Sequence, residues 1–332
     1  MTEEETIRNT PVLTEAGRVE ADEAPAPDAM RRYLLTLAAV MALIFVAPFF
    51  LARSAFYDRV DPSFYAKSLN YAYETAGQNA DVVIFGDSTA LLGIDPSRMS
   101  SALGIKVLNL PNTQATLIVN DDMSLSRYLN TNRPPKLILF YFAPWDFDYG
   151  HIDFNTLPTY EGEQLLLRRG TPQAIRAFGR KHPREILLFP LRFYGTFWQF
   201  TSHHTSVSTQ EAQLIATRGH VDIVSPSILQ APCRFPQYLI DNVRFSWMHD
   251  LGERYRSPET QVLYYVAPIP ACENVSELLA LPYQQLPASP PKAVPLDFFI
   301  NDVRFIHPRA FAVPELTQNL IDAVRPVLAS PR

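Results

Sequence analysis

Ser88 stands two residues beyond a run without charge. The segment reads Asp81-Val82-Val83-Ile84-Phe85-Gly86-Asp87-Ser88-Thr89. Its apolar stretch from Val82 to Gly86 predicts a buried parallel strand, and the polar Gly-Asp-Ser stands at the carboxyl end, where α/β folds place chemistry. A hydroxyl on a sharp turn between strand and helix is raised above the sheet, and backbone N–H groups at the helix start can stabilise an oxyanion. The chemistry implied is nucleophilic attack by Ser88. The plainer reading is that Asp87 or Ser88 caps the helix. Asp146 and Asp148 flank Phe147 after a later apolar run, where such a sheet opens to ligands, and read equally well as solvated loop acids. His151, His203 and His204 lack companions at metal-ligand spacing, and no zinc, phosphate-loop or dinucleotide fingerprint occurs, so no metal or cofactor is expected.

The elements around Ser88 follow an α/β grammar. Asp95-Pro96 followed by SRMSSAL and Gly104 supplies an N-cap acid, a first-turn proline and a terminal glycine, which together predict a helix. A second strand is expected at Lys106–Leu110, a helix from Ala115 to Leu129 and a third strand at Lys136–Phe142. From Pro144 to about Pro236 the pattern changes to short aromatic-rich helices at 176–181, 186–200 and 210–218, which reads as a helical insertion over about 145–236. The grammar then resumes with a helix over 238–256, a strand at 261–267, a proline-rich excursion, a short strand at Leu296–Ile300 and a last helix over 314–328. Strand, helix, strand, helix, strand predicts a parallel sheet with right-handed crossovers.

Composition narrows the classes. The chain has 332 residues, 47% of them apolar, enough for one large core. Its net charge of −5, with no Lys/Arg cluster offering the phosphate-neutralising stripe that such binding needs, argues against a nucleic-acid surface. The 29 prolines against 12 glycines indicate long stiff loops. Residues 1–30 are acidic and without periodicity, which predicts disorder. Tyr33–Ala52 carries no charge and is long enough to cross a bilayer. A transmembrane anchor is favoured over a cleaved signal peptide, because the leader is long and acidic and no small-residue cleavage site follows. Residues 53–80 read as a helical stalk, and 81–329 as the globular domain. Basic residues are balanced across the span; the Arg31-Arg32 doublet beside it favours a domain outside the cytoplasm. Cys233 and Cys272 suit either one disulfide in an oxidising compartment or two buried thiols.

The chain from 81 to 329 resembles the SGNH/GDSL hydrolase superfamily. Gly86-Asp87-Ser88 after a buried strand matches its opening block, and His307-Pro308 before the last helix matches the His of its closing block. The resemblance implies a flavodoxin-like three-layer α/β sandwich with a parallel sheet, and a Ser88–His307 pair. The family sets its acid three residues before the His, but position 304 is Arg and the nearest acid is Asp302. Either Asp302 serves through a bulged loop, or it holds the family's acid position and Phe305 falls where the His belongs. The second block aligns Gln114 with an oxyanion glycine. The third puts Trp145 in place of the donating Asn and Asp146 beside it, with Asn112 a nearby candidate for the missing donor.

Membrane-anchored relatives of this kind include proteins that acetylate alginate and proteins that transfer D-alanine to lipoteichoic acid. The resemblance therefore implies an acyl donor, a glycan acceptor and a membrane-bound O-acyltransferase partner. It also implies a single-pass inner-membrane location with the domain in the periplasm or outside the cell. The expected activity is O-acyl transfer or ester hydrolysis on an envelope or exported polysaccharide. The alternative is a catalytically silent module that binds glycan or scaffolds the same machinery.

Overall fold

The computed structural model describes residues 27–54, 64–147, 160–202, 207–223, 225, 227–241, 243–302 and 305–330. The acidic leader to residue 26, Asp148, His151, His203, His204 and Arg304 lie outside the described residues. The chain divides into two units, Met1–Val46 and Ala47–Arg332. Helix α1, Pro27–Leu51, has most of its length in the first and its last turn, residues 47–51, in the second. Its stretch Asp28–Leu51 is 24 residues long and apolar enough to cross a membrane. At roughly 1.5 Å of rise per residue such a helix exceeds the ~30 Å hydrocarbon layer.

The second unit begins with α2 (Phe64–Tyr73), β1 (Val82–Gly86), α3 (Ser88–Gly93), α4 (Pro96–Leu103) and β2 (Val107–Pro111). It continues with α5 (Gln114–Asn120), α6 (Met123–Thr131) and β3 (Leu137–Phe142). Four helices follow, α7 (Tyr160–Arg169), α8 (Pro172–Lys181), α9 (Pro183–Ser202) and α10 (Val207–Thr217). The chain then returns through α11 (Gln237–Asp241), α12 (Ser246–Tyr255), β4 (Gln261–Val266), β5 (Ile269–Pro270), α13 (Val275–Leu279), β6 (Ala293–Val294) and α14 (Val313–Ala329).

The main sheet has the order β2-β1-β3-β4 and is parallel throughout. Strands buried on both faces need no polar alternation, which is why their sequences read as apolar runs. Val83, Phe85, Ile138 and Phe140 pack on one face with Leu69 and Tyr73 of α2, Leu125 and Tyr128 of α6, and Leu251 of α12. The intervening Val82, Ile84, Leu137 and Leu139 pack on the other face with Ala90, Met99 and the α14 residues Leu320 and Val324. Helices thus cover both faces. Residues 69–73, read from sequence as part of a stalk, contribute side chains to the first cluster.

Three elements differ from the sequence expectation. The helix expected over 115–129 is broken into α5 and α6, because Asp121 takes a left-handed conformation with φ 51°. Its carboxylate accepts from the Trp247 indole, and that of Asp122 from Arg254 and Tyr255, so contacts with α12 hold the break open. The helix expected over 238–256 is two helices, α11 and α12. Leu296–Ile300 is not a sheet strand. Leu296–Phe298 forms a 3-10 turn, while Phe299 and Ile300 make isolated antiparallel bridges to Pro308 and Ile228. The short pair β5–β6 lies outside the main sheet. Cys233 and Cys272 are joined as a disulfide.

Candidate active site

The carboxyl ends of the central strands define the site. Gly86 pairs with Pro111 on one side and Tyr141 on the other, so Ser88, Asn112–Gln114 and Ala143–Asp146 all leave the sheet at the same edge. Only glycine fits at position 86. A Cβ there would stand 2.2 Å from the Tyr141 carbonyl oxygen and 2.5 Å from Ala90 Cβ, both shorter than any van der Waals contact.

Asp87 and Ser88 divide the two roles that the sequence left open. Asp87 is the N-cap of α3: its Oδ1 accepts from the Thr89 backbone N–H at 2.7 Å and from the Thr89 hydroxyl at 2.5 Å. Its Oδ2 accepts from the Ala143 backbone N–H at 3.0 Å, which ties the ends of β1 and β3 together. Asp87 is fully buried, and these charge-assisted bonds replace its lost hydration. Ser88 is left as the first helical residue with its hydroxyl directed elsewhere.

That hydroxyl meets His307. Ser88 Oγ lies 2.8 Å from His307 Nε2, and His307 Nδ1 lies 2.6 Å from Asp302 Oδ2. A carboxylate only accepts, so Nδ1 carries the ring proton and donates it, and Nε2 is left with a lone pair facing the Ser88 O–H. The three residues form a hydrogen-bonded line in which Ser88 donates to an imidazole whose tautomer is set by Asp302.

The spacing problem at Asp302 resolves in the backbone. Ile300 N–H donates to the His307 carbonyl at 2.9 Å, and Arg309 N–H to the Phe298 carbonyl at 2.7 Å, so 299–300 and 307–308 run as a short antiparallel pair. The loop between them turns back through Phe305, whose φ of 56° is left-handed and whose N–H donates to Asp302 Oδ1 at 2.6 Å. Asp302 therefore uses one oxygen to hold its own loop and the other to orient His307 across it. Phe305 packs beside the cluster of Phe299, Ile306 and Trp145, not at Ser88. Asp302 thus reaches His307 directly, and Phe305 does not stand in its place. Pro308 packs closely on Gly93 of α3, since its Cγ lies 3.2 Å from where a Cβ on Gly93 would stand.

The four residues assigned to oxyanion or substrate binding are placed differently. Gln114 begins α5, and its side-chain Nε2 donates to the buried Asp146 carboxylate, bracing the β2 and β3 loops against each other. Asn112 donates from Nδ2 to the Leu110 carbonyl at 2.8 Å, and its Oδ1 accepts from Ser124 Oγ at 3.4 Å, so its amide supports the turn after β2. Trp145 is 3% exposed and packs on Phe235 with ring centroids 5.7 Å apart. Its indole N–H is buried with no partner among the described residues. Neither the Asn112 amide nor the Trp145 indole is presented to a substrate. What remains are the backbone N–H groups of Ser88 and Gln114, each at the first position of a helix, where no preceding turn supplies a carbonyl. A cavity of about 830 Å³ bounded by Leu117, Asp122, Phe178 and Trp247 is lined by none of Ser88, His307 and Asp302.

Sequence reading missed a second layer of support. Asn109, a polar residue inside an apolar strand, was the signal. Its fully buried amide donates to the Ala90 carbonyl at 3.1 Å and the Gly219 carbonyl at 2.8 Å, fastening α3 to the turn after α10. His220 adds to this by bonding the Leu91 carbonyl and Asp222, both at 3.1 Å. The hydrogen bond from His220 holds the Asp222 carboxyl below its ordinary value of 3.8 despite partial burial. Among the described residues no cluster of three or more His, Cys, Asp or Glu could hold a metal ion. No protein-family model, curated protein or solved structure matches the chain.

Proposed function

We propose that this protein is a membrane-anchored acyl-ester enzyme of the SGNH type, with Ser88 as nucleophile, His307 as general base and acid, and Asp302 as its orienting carboxylate. The observation that carries the reading is the continuous Ser88–His307–Asp302 hydrogen-bond line. The sheet order β2-β1-β3-β4 supports it, since this is the start of the flavodoxin-like order and the nucleophile follows the first strand at the switch point.

In the first half-reaction Ser88 Oγ attacks the ester carbonyl carbon and its proton passes to His307 Nε2. The resulting oxyanion is held by the backbone N–H groups of Ser88 and Gln114. Collapse breaks the bond to the leaving alcohol, which takes the proton from His307 and departs, leaving acyl-Ser88. A second hydroxyl, from a sugar or from water, then gives its proton to His307 as it attacks; collapse returns that proton to Ser88. A sugar acceptor makes the enzyme a transferase and water makes it an esterase.

The anchor and the disulfide support a domain in the periplasm or outside the cell, where disulfides persist. The acceptor in this reading is an envelope or exported polysaccharide, with a membrane-bound O-acyltransferase as acyl source. One observation favours the silent-module reading instead: Asn112 and Trp145 both turn inward, so no described side chain among the four assigned residues serves as an oxyanion donor. Acetate release from an activated acetyl ester by the full chain separates the two. The expected result is turnover that disappears in Ser88→Ala; turnover equal in both proteins, or none in either, removes the enzyme reading.

A further inference from the structure

We propose that α8 and α9 form a membrane-surface element that lies in the headgroup layer of an anionic bilayer, with α9 packed on the last turn of α1, residues of the second unit. The argument begins with the two faces of α9. Glu185, Phe189 and Phe193 are buried, whereas Arg184, Leu187, Leu191 and Tyr194 are exposed. At about 100° per residue these two sets project from opposite sides of the helix. The exposure is large for apolar side chains: Leu187 is 68% exposed, Leu191 58% and Tyr194 38%. Three such residues at successive turns of one helix form a continuous stripe, which water does not favour.

The buried face shows where this stripe lies. Phe189 and Phe193 cluster with Ala52 and Leu167, and Phe49 packs beside them with its ring 5.2 Å from that of Phe189. Ala52 and Phe49 belong to the last turn of α1 and the residue after it. A helix that crosses a bilayer ends at the headgroup layer, so α9 is fastened to the chain at that level.

Charge completes the complementarity. From Pro172 to Ser202 the sequence holds five Lys or Arg residues and one acid, Glu185. Arg176, Arg180, Lys181 and Arg184 are exposed, while Glu185 is buried in an ion pair with Arg192. Exposed leucines and a tyrosine on α9, with exposed arginines and a lysine on α8 and at the start of α9, give the composition of an interfacial element, with apolar groups in the acyl boundary and cations among lipid phosphates. The proposal depends on α1 spanning the membrane and is independent of the triad.

The test uses the full chain in vesicles. The native cysteines are disulfide-bonded, so Leu187→Cys, Leu191→Cys and a control, Glu315→Cys, can each carry one environment-sensitive fluorophore. Glu315 is exposed on α14, which covers the other face of the sheet. Vesicles contain phosphatidylcholine alone or with phosphatidylglycerol, plus lipids bearing a shallow spin-label quencher. Labels at 187 and 191 are expected to be quenched roughly threefold more than at 315, as an interfacial helix requires. Combined Arg176→Gln, Arg180→Gln, Lys181→Gln and Arg184→Gln is expected to remove the extra quenching that phosphatidylglycerol gives, with acetyl-ester turnover unchanged. Quenching at 187 and 191 no greater than at 315 overturns the proposal. So does protection of these labels only when a second membrane protein is present, which makes the face a protein docking surface.

Discussion

Ser88 is held by the sheet, whereas His307 is held by a loop that leaves it. The turn that carries Ser88 follows a strand with neighbours on both sides; Asp87 and the whole of β1 are buried, and Gly86 tolerates no added carbon. The segment that carries His307 rests on a short antiparallel pair outside the main sheet and contains a left-handed phenylalanine. His307 and Asp302 side chains keep 24% and 25% of their surface exposed. A non-glycine residue in that conformation costs about 1–2 kcal/mol, which the Asp302–Phe305 hydrogen bond and the packing of Phe305 must offset. Ser88 is therefore built into the core of the fold, whereas His307 is brought to it by a loop outside the main sheet that packs on Ala143 and Trp145.

That contrast sets the order of expected effects. His307→Ala is expected to lower acetyl-ester turnover by roughly 10⁴-fold while leaving the urea midpoint close to wild type, because under the proposed mechanism it removes the general base without opening the core. Asp302→Asn should come next, at roughly 10³-fold, since an amide no longer enforces the tautomer that leaves Nε2 free. It should still accept from Phe305 N–H and so keep the loop. Gly86→Ala reverses the pattern. Its Cβ would overlap the Tyr141 carbonyl, so equilibrium unfolding should show a loss of about 3 kcal/mol, the upper range for overpacking. If His307→Ala destabilised the protein more than Gly86→Ala, the division between core and loop would be wrong.

Smaller effects sharpen the same division. The Asp222 carboxyl is held below 3.8 by His220, so its contribution is present above that pH and lost as pH falls through the lower folded-state value. Asp222→Asn should therefore lower stability modestly at neutral pH, and the difference from wild type should vanish in acid below that window. Thermal unfolding across pH 2–7 checks this; a difference that grows in acid has the wrong sign. Trp145→Phe is expected to change turnover by less than about twofold, because it deletes an indole N–H that already lacks a partner. A large loss would return Trp145 to the oxyanion site.

Much of the core half was legible in sequence. β1 is visible as an uncharged run, and α4 carries its cap acid, first-turn proline and left-handed Gly104, so local chemistry alone set its bounds. β3 is equally plain, because burial on both faces leaves no polar interruption; β2 is interrupted only by Asn109, and the edge strand β4, buried at alternate positions, still keeps an uncharged apolar run from Val262 to Val266. The loop that carries His307 was less legible for a physical reason. The Asp302–His307 spacing depends on a left-handed turn at Phe305, a residue type that carries no preference for it. The break at Asp121 likewise depends on α12, more than a hundred residues away in sequence. Asn112 and Trp145 looked available because side-chain direction, unlike sequence position, is decided by packing.

The most direct test of the Ser88–His307–Asp302 line is covalent labelling of the full chain with a serine-reactive fluorophosphonate, with the modified residue located by mass spectrometry. The account predicts one adduct, on Ser88, formed rapidly in wild type, slowly in His307→Ala and not at all in Ser88→Ala. Labelling elsewhere that persists in Ser88→Ala, or no labelling of folded wild-type protein, would contradict it.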